Sequence, residues 1–194
     1  EYPSYDASDR VGKKNMLTYS ITNSLTTESD RRRFCRFKLK QSYDISEAGD
    51  EWADSDEKER FSPISGEIEL TPAAFLSLYA DAEWSLYENI FQSRNVAITL
   101  SDMRGDRLFT AYRYEQGVRE SLYTDLKINV SEMLSVYADY ERNLYDRKEI
   151  KKSLGFLYRA QCWSLDIHHA YESGDHRYAF MLNLNGLGGV GTAK

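Results

Sequence analysis

Four groups of residues in this chain have types and spacings that chemistry uses. The first is Gly186-Leu187-Gly188-Gly189-Val190-Gly191, which matches G-x-G-x-x-G. In a dinucleotide site such glycines let the backbone approach a pyrophosphate, and a helix and an acidic residue about 20 positions on complete the motif. The sequence runs only to Lys194, so a flexible exit from a last strand is the better expectation. The second group is His168, His169 and His176. A strand sends the adjacent pair to opposite faces, and no second cysteine or carboxylate has ligand spacing. Surface or rim histidines are expected, and no metal. The third is Asp81 with Glu83, a carboxylate pair of the kind that does acid–base work. Similar carboxylates recur along the chain and alternate with basic segments, so the lining of a hydrated lumen is the more economical reading. The fourth is Cys35 with Cys162, which in a secreted chain could form one disulfide. No Ser-His-Asp or Cys-His arrangement stands out. Neither enzymatic chemistry nor a cofactor is expected.

The elements that carry these residues alternate with period two, the signature of strands with one apolar and one polar face. Leu17, Tyr19, Ile21 and Leu25 alternate with Thr18, Ser20, Thr22 and Ser24. Cys35, Phe37 and Leu39 alternate with Arg36, Lys38 and Lys40. The pattern recurs through Leu76–Leu86, Val96–Leu100, Leu122–Val130, Leu134–Glu141, Trp163–His168 and Tyr178–Asn185. About eleven strands follow, at 14–27, 32–44, 62–72, 74–88, 93–102, 105–117, 120–131, 133–145, 149–161, 162–173 and 176–187. Those at 105–117 and 149–161 alternate less cleanly. Most exceed the ordinary globular length of about 5–6 residues and match or exceed the about 9–11 that a tilted strand needs to cross a bilayer.

The predicted faces differ chemically. One carries Leu, Ile, Val, Phe, Trp and Tyr. The other carries Arg36, Lys38, Lys40, Glu67, Glu69, Asp81, Glu83, Asp125, Lys127, Asp139 and Glu141. Charges in nearly every strand cannot pack a dry core; they suit a wide, wet lumen. A soluble antiparallel sheet with one solvated face is the alternative, and strand length weighs against it. Short connections at Pro72-Ala73, Ser131-Glu132 and Gln161-Cys162 fall on one rim, and the long acidic stretch Asp44–Phe61 on the other. Outer-membrane barrels have this asymmetry. On this strand count Cys35 and Cys162 stand eight strands apart, against the short Cα separation a disulfide requires. The 15 tyrosines suit strands and water–apolar boundaries. A net charge of −6 argues against a nucleic-acid-binding face. Arg31-Arg32-Arg33 is read as a solvated cluster ahead of contact with anionic headgroups. The opening Glu1-Tyr2-Pro3, without Met, reads as a fragment or a processed product.

The last forty-odd residues carry a resemblance. SLGFLYRAQCWSLDIHHAYESGDHRYAFMLNLNGLGGVG, Ser153–Gly191, resembles the terminal strands of the lipopolysaccharide-assembly family LptD, also called OstA. It has a strand ending in Cys-aromatic, a further hairpin, and a closing Asn-Leu-Asn-Gly-Leu-Gly. Upstream, Asp9-Arg10-Val11-Gly12 before an alternating strand is similar to the middle of that family's barrel.

The resemblance implies that residues 1–194 are the C-terminal part of a larger antiparallel transmembrane β-barrel in the cell outer membrane, with a periplasmic N-terminal domain and earlier strands absent. It implies lipopolysaccharide as cargo, an LptE-like lipoprotein plug in the lumen, a periplasmic Lpt bridge reached through the N-terminal domain, and contact with membrane lipid. It implies that Cys162 pairs with a cysteine of that N-terminal domain; the family often has two adjacent cysteines there, and here the neighbour is Trp163. It makes the last strand, with Tyr178, Phe180, Leu182, Leu184, Gly186 and Gly188, one side of a lateral gate facing the first barrel strand. A porin-like passive channel and a soluble β-sheet binding protein are the competing functions.

Overall fold

The computed structural model describes residues 15–28, 33–45, 59–172, 174–184 and 188–191. The alternating sequence forms one antiparallel sheet of twelve strands in chain order. They are β1 (Met16–Thr26), β2 (Arg33–Asp44), β3 (Ile64–Ala73), β4 (Leu76–Ser85), β5 (Ile90–Ser101), β6 (Arg107–Glu115), β7 (Arg119–Asn129), β8 (Leu134–Asn143), β9 (Glu149–Arg159), β10 (Trp163–Glu172), β11 (Asp175–Leu184) and β12 (Gly188–Gly191). Every strand pairs with its sequence neighbours, and β1 and β12 are the two ends of an unclosed sheet. This is an all-β, partial-barrel architecture. Among the described residues no helix is long and apolar enough to cross a membrane.

Strand direction sorts the connections onto two rims. One rim, the turn rim, carries the links β3–β4, β5–β6, β7–β8 and β9–β10; the other, the loop rim, carries β2–β3, β4–β5, β6–β7, β8–β9 and β10–β11. The expected placement holds: the turns near 73, 131 and 161 share one rim, opposite 45–63. Pro72 and Ala73 lie inside β3, so that turn is Ala74-Phe75. The length asymmetry comes from one segment alone, since β6–β7 turns through only Gln116–Val118 on the loop rim. Gly117 permits that tight reversal with φ +69°, a region that other residues rarely enter.

Two expectations about the C-terminal end are corrected. The glycines are not a flexible exit: Gly188–Gly191 pairs with β11 from Leu184 back to Met181. The last long strand therefore has a partner within the chain over that half. Among the described residues only Asp175–Phe180 lacks one on that side. A strand at this position also removes the helix that the dinucleotide reading of G-x-G-x-x-G needed; Gly186 lies outside the described residues.

The sheet has almost no core. Ala111 and Ala179 are its only buried apolar residues among those described. Leu17, Ile21, Leu25, Val96, Ile98, Leu100, Ile128, Leu154, Phe156 and Phe180 are exposed. A water-soluble domain stabilised by apolar burial cannot leave such a surface uncovered.

Candidate functional site

Cross-strand partners share a face, so the register assigns every side chain to one of two surfaces. Arg36 opposes Glu69, Lys38 opposes Glu67 and Lys40 opposes Ser65. Glu67 then opposes Asp81, and Ser65 opposes Glu83. Farther along, Arg107 opposes Lys127, Asp125 opposes Asp139, and Tyr123 opposes Glu141. Following the pairs across the intervening strands puts Arg36, Lys38, Lys40, Glu67, Glu69, Asp81, Glu83, Lys127, Asp139 and Glu141 on a single polar face. The opposite face carries Leu78, Leu126, Leu165 and Leu182.

Several polar pairs put like charges directly across from each other, which destabilises a sheet. Each is relieved from a neighbouring strand. The Arg36 guanidinium donates to Glu67 at 3.1 Å and to Glu69 at 3.3 Å. Asn95 donates to Asp81 at 2.8 Å. Arg107 lies 3.6 Å from Asp125, and Lys151 lies 3.2 Å from Asp139, which also accepts from Ser153. Ser121 donates to Glu141 at 3.1 Å. These groups are partly exposed, so each pair is worth about 0–1 kcal/mol. Their collective effect is a surface that is charged and hydrogen-bonded across the sheet yet open to water.

Tyr137 reaches across a whole strand on this face. It stands opposite Gly155, and its hydroxyl donates to Asp166 on β10 at 2.5 Å. A Cβ built on Gly155 would lie 2.4 Å from the Tyr137 ring, so the missing side chain is what lets the ring lie across β9. His168, 4.0 Å from the same Asp166 carboxylate, belongs to this face.

The other histidines lie on the apolar face. His169 and His176 stack at 5.3 Å between centroids, with Nε2 and Nδ1 3.0 Å apart. His169 also stacks on Tyr178 at 4.5 Å. Adjacent His168 and His169 thus take opposite faces as expected. No group of three or more metal-ligating side chains occurs among the described residues.

Cys35 is a half-buried free thiol between Leu25 and Leu70. Cys162 is exposed and free in the turn between β9 and β10. Tyr178, Phe180, Leu182 and Leu184 point to the apolar face of β11, where Leu182 opposes Leu165 and Leu184 opposes Trp163. Arg31 and Arg32 lie outside the described residues, and Arg33 approaches Glu69 at 3.9 Å.

Sequence reasoning missed Arg107, Arg113 and Lys151 as polar-face residues, and Arg94, Arg142 and Lys152 as charges on the apolar face, whereas Asp166 follows from the alternation of its strand. Counting parity inward from the better-patterned neighbouring strands would have found them.

The sequence also matches known proteins. The family model described as LptD, LPS transport system D, matches residues 1–174. The LPS-assembly protein LptD of Coxiella burnetii (strain RSA 493 / Nine Mile phase I) is 25% identical over 170 residues, covering 69% of this chain and 19% of that protein. The chain thus corresponds to about a fifth of that relative's length.

Proposed function

The chain belongs to the LPS transport system D family, and from that premise we propose that it forms the later part of an outer-membrane barrel that delivers lipopolysaccharide to the outer leaflet. The observation that carries this reading is the pair of unlike faces on one sheet. Strands of 9 to 12 residues, β1 to β11, are long enough for tilted strands to cross a bilayer, which takes about 9–11 residues. The uncovered apolar face then meets lipid. The charged face lines a hydrated lumen, where Arg36, Lys38, Lys40, Glu67, Glu69, Asp81, Glu83, Lys127, Asp139 and Glu141 stay solvated. An LptE-like lipoprotein is the occupant proposed for that lumen, and the periplasmic Lpt bridge the supplier of cargo.

The turn rim faces the periplasm in this reading, and 45–63 faces the cell exterior. Both ends of the sheet require partners from the rest of the barrel, because an open edge cannot stand in hydrocarbon. The edge of β11 beside Asp175–Phe180, with β12 below it, is the proposed gate side, and its partner is the first strand of the complete barrel. A strand held by four residues of pairing opens more readily than one held along its whole length.

The test uses cells depleted of their own protein and supplied with the complete protein carrying an oxidisable cysteine pair between that seam and the first barrel strand. Oxidation should stop lipopolysaccharide from reaching the surface while the barrel stays folded. Continued delivery through a fully crosslinked seam overturns the gate. Passage of small solutes without any lipid delivery would mark a passive channel instead.

A further inference from the structure

From β3 to β11 the described residues of the apolar face are charged at one end only. Arg94 on β5, Arg142 on β8 and Lys152 on β9 share the face of Val96, Leu122 and Leu154 and are exposed. All three lie in the half of their strands nearer the loop rim. At the turn-rim end of β3 to β11 the same face carries Leu70, Leu76, Leu100, Leu108, Ile128, Leu134, Trp163 and Leu184, with no charge among the described residues.

Tyrosines separate the cations. The Arg94 guanidinium lies 4.6 Å from the Tyr114 ring centroid and 5.9 Å from that of Tyr112. It also donates to the Tyr112 hydroxyl at 3.3 Å. Lys152 opposes Tyr140 in register and sits 4.9 Å from the Tyr171 ring. Two carboxylates share the belt and are engaged: Glu120 accepts from Tyr112 at 2.9 Å, and Glu149 holds Lys152 at 2.7 Å. A guanidinium laid on a ring keeps its N–H edge available, and that edge matches a phosphate.

We propose that this belt seats the phosphorylated headgroups of lipopolysaccharide in the outer leaflet. Tyrosine rings mark the boundary between hydrocarbon and headgroups on a barrel's outer surface. Cations at that depth face whatever charge the headgroups carry, and confinement to the loop-rim end means that only one leaflet supplies it. Arg142 and Lys152 stand on neighbouring strands. Arg94 is three strands from Arg142, about 14 Å at a strand spacing of about 4.8 Å, so the belt spans more than one phosphate. The inference rests on the orientation given above, with the loop rim outermost.

The experiment uses the complete protein, purified in detergent, with bound lipid counted by native mass spectrometry. The probes are lipopolysaccharide, the same lipid after enzymatic removal of its phosphates, and phosphatidylglycerol. Wild type should retain intact lipopolysaccharide at least tenfold better than either other probe. The triple variant Arg94→Gln/Arg142→Gln/Lys152→Gln should lose that preference, and Arg94→Lys/Arg142→Lys should keep most of it. Equal retention of phosphorylated and dephosphorylated lipid by wild type overturns the proposal, whether or not the triple variant folds. Equal retention of phosphatidylglycerol overturns the choice of lipopolysaccharide. Lipid delivery in depleted cells and surface labelling of 45–63 are measured separately, so failure of the transport reading or of the orientation stays distinguishable.

Discussion

Single residues in this sheet act through what they leave room for and what they fasten. Gly155 is absent space that the Tyr137 ring occupies on its way to Asp166. Gly155→Ala forces the ring off that path and should cost about 1–3 kcal/mol, the usual range for overpacking. Urea unfolding of the complete protein in lipid vesicles reads it, and an unchanged midpoint would show that the ring has another place to go. Asp106 fastens two turns of the same rim. Its carboxylate accepts from the backbone N–H of Asn129 at 2.6 Å and from the Arg104 guanidinium at 2.6 Å. Those bonds, the Asn129 one first, hold its pKa below the ordinary carboxylate value. A depressed folded-state pKa means that the stabilisation is complete above the unfolded pKa of about 3.9 and fades as pH falls below it. Wild type should therefore lose more stability than Asp106→Asn as the pH falls below about 4. Parallel pH curves for the two would remove that role. Cys162, exposed in its turn, should form a disulfide with a cysteine of the N-terminal domain in the complete protein. Non-reducing peptide mapping checks it, and a Cys35–Cys162 bond would contradict it.

At the scale of the strand, the face decides what a substitution costs. Leu78 and Leu126 lie on the apolar face among Leu70, Ile98 and Leu108. Leu126→Arg should cost about 2–4 kcal/mol near the membrane midplane, whereas Lys38→Gln on the other face should be nearly silent. Equal damage from both would remove the distinction between faces. The same alternation made the fold legible from sequence alone. Nine strands with clear alternation, and the face residues named on them, follow from parity. β6 and β9 were harder to read because their polar-face positions hold Phe109, Ala111, Gly155 and Leu157. Ala111 sits opposite Tyr123 and Gly155 opposite Tyr137, so small residues answer large rings on the next strand. Hydropathy along one strand cannot show a partner on another. β12 was missed for a related reason: Gly188-Gly189-Val190-Gly191 has no alternation, and only its pairing with Met181–Leu184 makes it a strand. The apolar-face cations are not legible in the sequence because Arg94 and Lys152 interrupt the apolar alternation of their own strands.

At the largest scale the described residues form a wall, one face polar and the other apolar, whose two edges the proposed barrel would close. With the loop rim outermost, as proposed above, labels on 45–63 should be reached from outside intact cells and labels at Gln161 should not; the reverse would invert the orientation. The central claim is that these strands stand in a bilayer with the polar face toward water. Spin labels placed singly at positions 135 to 141 of β8, in the complete protein in lipid bilayers, test it most directly. Asp139 and Tyr137 share the charged face and Val136 and Ala138 the apolar one. Collision with a water-soluble paramagnetic complex should peak at 135, 137, 139 and 141. Collision with oxygen dissolved in the bilayer should peak at 136, 138 and 140. Accessibility to the water-soluble complex at every position, with no period of two, would contradict the account.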